Sequence, residues 1–355
     1  MVQFLYSSLT ILAALLLATS ASGQKVCVAQ NSKTDDTITI IQAFNDCKAG
    51  GTVSLPKEKT YNIKSLIKVT SLKNVKIDFA GKIILPLYDP KFKGGSAYLE
   101  ISGDNVHLSG GGTIVGNGQS CNFKILNAHR GHIAITGAEN VIFENVYLNT
   151  RSTGKNFARN TDASGVTSSK NIIFRNSQLT VGDDCTAINA AVTNVTVTGI
   201  KCYEGHGFNI GSLGHGQRFD FVSNIYFTNN ECHSCQNGVR IKTVSGEKGA
   251  VSDVRFQNVQ LYDTVNPVAI TTHYFCEQNK NCNNDQSLTI SNVLTNCIPR
   301  TTSNKDLPFI SIDCSKHGLC KDFSLININI KKNPTTKKNV CNYLVGSEKI
   351  PYCQQ

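Results

Sequence analysis

A chain of 355 residues with 14 cysteines, no tryptophan and a formal net charge of +10 is too rich in cysteine for a reducing compartment and basic enough to seek anions. No basic run alternates with aromatic residues, which argues against nucleic acid as a partner. No segment beyond residue 23 is apolar enough to cross a bilayer, which argues against a membrane protein.

The first 23 residues are expected to be a signal peptide. Ser8 to Ala18 is apolar, centred on Leu9, Ile11, Leu12 and Leu15 to Leu17, and the small residues Ala21-Ser22-Gly23 suit signal peptidase. The apolar run is too short to favour a membrane span, so the mature chain is expected to start near Gln24 and to be secreted. Residues 24–355 contain no Pro/Ser-rich linker and no shift in composition, and read as one domain.

Asp35 or Asp36 is expected to start a short helix through Ile38, Ile41, Ala43 and Phe44, ended by Gly50-Gly51. Beyond it, short alternating segments begin with Asn or Asp followed by apolar residues. Their starts are Asn74, Asn105, Asn140, Asn171, Asn194, Asn224 and Asp253, at successive separations of 31, 35, 31, 23, 30 and 29 residues. A period of this size signals a solenoid, and alternation within each unit signals strands. The expected fold is therefore all-β, a parallel β-helix with Val, Ile, Leu and Phe inside and Asn at left-handed turns. The short helix would cap the first coil. A sandwich or propeller fits less well, because each repeat is one coil rather than a longer blade.

Near neighbours among the cysteines suggest the pairs Cys27–Cys47, Cys185–Cys202, Cys276–Cys282, Cys314–Cys320 and Cys341–Cys353. Cys121, Cys232, Cys235 and Cys297 are left unassigned. Cys232-His233-Ser234-Cys235 has a redox or zinc spacing, but no second matching pair lies nearby in sequence, so these cysteines read as structural and no metal is expected.

Four polar clusters lie about one repeat apart: Asn160-Thr161-Asp162, Gly182-Asp183-Asp184, Gly205-His206-Gly207 and Arg240-Ile241-Lys242. In stacked coils they share one face. Three carboxylates crowded together cannot all ionise cheaply, so one keeps its proton to higher pH. Arg240 and Lys242, two apart on a strand, project to the same side and suit an anionic ligand. The glycines flanking His206 allow close backbone approach.

These motifs, in this order, resemble the polygalacturonases of glycoside hydrolase family 28. The similarity runs from about Cys27 to Cys353 and is densest from Asn160 to Ser252. The resemblance implies a right-handed parallel β-helix that hydrolyses α-1,4-linked galacturonan with inversion, without a cofactor. It assigns the general acid to Asp183, the activation of water to Asp162 and Asp184, and a supporting hydrogen bond to His206. Arg240, Lys242 and Tyr274 would bind substrate, and Asn160 would help orient Asp162. The sequence departs from the family pattern at Thr272-His273 before Tyr274, at Gly182 and at Ser164-Gly165, and it has no Trp for sugar stacking.

The expected protein is a monomeric, endo-acting secreted enzyme whose partner is the anionic galacturonan polymer, with plant polygalacturonase-inhibiting proteins as further partners. A pectate lyase or rhamnogalacturonan hydrolase on the same fold, an exo-acting enzyme, and a catalytically silent pectin-binding protein are the alternatives. The intact acids favour a hydrolase. Asn194-Val195-Thr196 is the one good glycosylation sequon.

Overall fold

The asparagines that begin each repeat adopt the left-handed backbone conformation. From Asn74 to Asp253 the seven repeat starts have φ between +52° and +57°. Asn and Asp tolerate this conformation better than other side chains that carry a Cβ. Their amides stack along the axis: Nδ2 of Asn105 donates to Oδ1 of Asn74 (2.7 Å), Asn171 to Asn140 (2.8 Å) and Asn194 to Asn171 (2.7 Å). Asn194, the sequon residue, is exposed on this ladder.

The computed structural model describes residues 24–32, 34–86, 98–115, 124–128, 130–152, 158–215, 219–276, 286–299, 307–316, 319–328 and 337–354. The expected signal peptide lies outside them, as do Cys121 and Cys282. The described strands pair in parallel and form three rows, so that each coil contributes to three faces of a β-helix. One coil shows the pattern: Val192–Thr198, Lys201–Tyr203 and Phe208–Leu213 belong to the first, second and third sheets.

Register brings apolar residues onto one another along the axis. Phe174, Val197, Phe227 and Phe256 align in the first sheet. Val166, Ile188, Ile210, Ile241 and Ile270 align in the third. All of these are buried. Phe227 and Phe256 stack with ring centroids 5.0 Å apart, and burying each ring contributes about 2–3 kcal/mol.

The N-terminal helix spans Thr37–Asp46. The Asp35 carboxylate accepts the N–H (3.1 Å) and hydroxyl (2.7 Å) of Thr37 at its start. Ala43 and Phe44 are buried as expected, with Ile40 beside them and Ile41 packed partly against the core, whereas Ile38 points outward and is 74% exposed. The positions i, i+3 and i+4 from Ile40 make one helical stripe, and Ile38 falls on the opposite side. Cys27–Cys47 staples this cap, and Cys341–Cys353 ties the final turns at the other end.

Cys185–Cys202 and Cys314–Cys320 also form. Cys276 is disulfide-bonded. Cys232 and Cys235 pair with each other, so the Cys-x-x-Cys spacing is a buried cross-link. Cys297 is a buried free thiol, and burial pushes its pKa up.

Candidate active site

The four polar clusters meet where the chain turns from the second sheet into the third. Asp162 lies just before strand Ser164–Thr167, Asp183 and Asp184 before Thr186–Ile188, and His206 before Phe208–Leu213. Parallel pairing of these strands stacks the turns. Arg240 and Lys242 follow on Asn237–Val244, and Tyr274 ends the next strand, Asn266–Tyr274.

His206 Nδ1 is 3.0 Å from Asp183 Oδ1 and 3.9 Å from Asp184 Oδ1. Asp183 also accepts the backbone N–H of Asn160 (3.0 Å) and of Asp184 (2.9 Å). Burial alone would raise the pKa of Asp183. The hydrogen bond and charge of His206, with those two N–H groups, outweigh burial and hold the carboxyl below its usual range. Asn160 therefore serves the site through its main chain, at φ +57°, and its contact is with Asp183 rather than Asp162.

Asp162 is pushed up to about 7, first by burial and then by the charges of Asp184 and Asp183. Asp184 is nearly inaccessible. Burial raises its pKa, opposed by Lys242, whose Nζ lies 2.8 Å from Oδ2. Asn209 donates its side-chain amide to the other oxygen of Asp184. Lys242 thus reaches two strands across the third sheet to neutralise a buried acid, and its side chain is only 8% exposed. Asn209 belongs to the Gly-His-Gly-Phe-Asn motif but had no role assigned from sequence; strand pairing puts it in register with Arg240, on the face opposite the core residues Phe208 and Ile210.

Arg240 stacks over the Tyr274 ring at 5.0 Å from the centroid, and the Lys242 ammonium lies 5.4 Å from the same centroid. Arg240 is half-buried and faces the groove beside the acids, so it is the cation best placed for an arriving carboxylate. Gly207 has φ +92°, and a Cβ there would lie 2.2 Å from the carbonyl oxygen of Asn237. The turn that presents His206 therefore requires glycine at that position.

The profile of Glycosyl hydrolases family 28 matches residues 113–349. The chain belongs to this family. It is a glycoside hydrolase on a parallel β-helix, as the motifs implied. Exopolygalacturonase rpg13 of Rhizopus delemar is 45% identical over 99% of this chain and 99% of its own. Exopolygalacturonase rpg16 of the same organism is 41% identical over 98% and 97%. Among solved structures, endo-xylogalacturonan hydrolase from Aspergillus tubingensis matches with a TM-score of 0.72 at 21% identity, covering 91% of this family 28 chain and 97% of its own. That likeness speaks for the fold alone.

Proposed function

We propose that this family 28 hydrolase is a secreted polygalacturonase that cleaves α-1,4-galacturonosyl linkages of homogalacturonan with inversion, acting from a chain end. The observation that carries the reading is the His206–Asp183 pair set beside Asp162 and Asp184, with Arg240 on the adjoining strand. Inversion needs one carboxyl to protonate the leaving oxygen and another to activate water. Arg240 offers a planar, two-pronged contact to the carboxylate that every galacturonate ring carries.

The sequence alone led to the expectation of endo action. Three relatives that align over 98–99% of this chain all bear the name exopolygalacturonase, and this moves the proposal to exo action.

Asp183 is assigned to the leaving oxygen. His206 holds it low, and entry of a substrate carboxylate with exclusion of water raises its proton affinity. The imidazole 3.0 Å away supplies a hydrogen-bond donor to it. A second assignment, with Asp162 as acid and Asp183 as base, is favoured by the higher pKa of Asp162. An activated galacturonide separates the two, because a good leaving group dispenses with the acid. The acid's Asn variant keeps activity on that substrate and the base's variant does not.

The overall reading is tested on demethylated polygalacturonate with EDTA, following reducing ends, viscosity and absorbance near 235 nm together. Reducing ends with slow loss of viscosity, monomer as first product and no ultraviolet product are expected. Rapid loss of viscosity would make the enzyme endo-acting. Ultraviolet product lost with EDTA would indicate a lyase. Binding without cleavage would indicate a silent pectin-binding protein.

A further inference from the structure

Beneath Asp162, on the preceding coil, lies an imidazole that the chemistry above does not use. His132 is buried and immediately precedes strand Ile133–Thr136, which pairs with Ser164–Thr167. Its main-chain N–H donates to the carbonyl oxygen of Asp162 at 2.8 Å, and its Nδ1 lies 2.9 Å from the same oxygen.

A carbonyl oxygen only accepts, so Nδ1 carries the proton and Nε2 is the acceptor. Thr150 completes the arrangement. Its Oγ1 is 2.8 Å from Nε2 and itself accepts the N–H of Ala128 at 2.8 Å, which directs the hydroxyl hydrogen to the imidazole. Donors therefore run one way, from Ala128 N–H through Thr150 and His132 to the Asp162 carbonyl. Burial disfavours the charged ring and lowers its pKa to about 4, which keeps this neutral tautomer in place at ordinary pH.

Asp162 is thereby held from two sides. His132 fixes its carbonyl toward the preceding coil, and the next residue, Ala163, donates its N–H to the Asp184 carbonyl at 2.9 Å. With the main chain fixed, the Asp162 carboxyl stays near Asp183 and Asp184, whose charges act on it.

We infer that His132 is a positioning residue for Asp162, its Nδ1–H fixing the main chain from which that carboxyl reaches the reaction centre. The inference rests on the hydrolase reading above. It extends to a residue outside the four motifs, and it makes Thr150 the group that sets the ring's tautomer.

The test compares His132→Leu, His132→Asn and Thr150→Val with wild type, using kcat, KM, the pH profile and the melting temperature. Displacing a reacting group by about 1 Å costs about 10²-fold, so His132→Leu should lose about that factor in kcat while KM for polygalacturonate changes less than about threefold. The pH limb governed by Asp162 should move in the same variant. Asn places an amide donor near the Nδ1 position, and His132→Asn should recover kcat to within about tenfold of wild type. A folded His132→Leu with wild-type kcat and pH profile would overturn the inference. If that variant does not fold, Thr150→Val decides: a several-fold loss of kcat supports the role and no loss overturns it. The ¹⁵N spectrum of wild-type His132 gives an independent reading, with a protonated Nδ1 and bare Nε2 expected and the opposite tautomer fatal. Failure of wild type to release reducing ends would remove the hydrolase reading while leaving the tautomer assignment intact, so the two failures are distinguishable.

Discussion

Replacing Lys242 by Met should separate stability from activity in this protein. The Lys242 ammonium is 2.8 Å from Asp184, and the two side chains are 8% and 3% exposed. Removing one partner of such a pair leaves an uncompensated buried charge and costs about 3–5 kcal/mol. Unfolding entropy near 2.1 cal/mol/K per residue, applied to residues 24–355, gives about 0.7 kcal/mol/K, so the melting temperature should fall by about 4–7 °C. The loss should depend on pH. Without Lys242, burial raises the folded-state pKa of Asp184 further above its unfolded value, so the native state binds the extra proton. The deficit is then small below about pH 4 and grows as pH rises toward neutrality. Adding Asp184→Leu should restore part of the stability, since two apolar groups replace the pair, yet leave the enzyme inactive. Calorimetry from pH 4 to 8, alongside reducing-end assays of the single and double variants, checks each step. A Lys242→Met protein with wild-type melting temperature at pH 7 would refute the claim that this lysine compensates a buried acid.

Asp183→Asn should lower kcat by about 10²–10⁴-fold with little change in KM, measured by reducing-end release. Arg240→Ala should raise KM by about tenfold or more, the loss of a charge-assisted contact of about 1.5–3 kcal/mol, and flatten the salt dependence of binding. Asp162, with a folded pKa of about 7 against 3.8 for the ordinary carboxyl, binds a proton more tightly when folded. Its contribution to stability is therefore full at pH 3 and is lost as pH rises through 7; calorimetry should show this slope reduced in Asp162→Asn. Phe227→Ala should destabilise by about 3–5 kcal/mol in urea unfolding, because it empties a stacked position inside the helix.

The fold was legible because its two signals are local. Left-handed Asn starts and alternating apolar residues repeat along the chain, and each can be read within a single coil. The face shared by Asp162, Asp183, His206 and Arg240 followed from the same period. What escaped was set by contacts between coils. Arg240 and Lys242 look equivalent in sequence, but only the longer reach to a buried carboxylate distinguishes Lys242. The proton affinities of Asp162 and Asp183 diverge because one faces other carboxylates and the other faces an imidazole, which no spacing reveals. His132 lacks any motif, and its role depends on strand pairing that brings Asp162 above it. In the helix cap Ile38 was taken for a core residue and Ile40 was passed over, since the two are equally apolar and only the packed coil selects between them.

The asparagine ladder has a consequence for how such a protein changes over generations. Asn140, Asn171 and Asn194 stay in step along the axis although 31 residues separate the first two and 23 the second two. Surplus length is thus carried in the turns, not in the paired strands. The stretch between Asn149, which ends a strand of the second sheet, and Ser164, which opens one of the third, is longer in sequence than that between Thr180 and Thr186 in the next coil, and Asp162 lies near its end. Such turns can be lengthened or trimmed while the stacked rungs that carry Asp162, Asp183 and His206 keep their alignment.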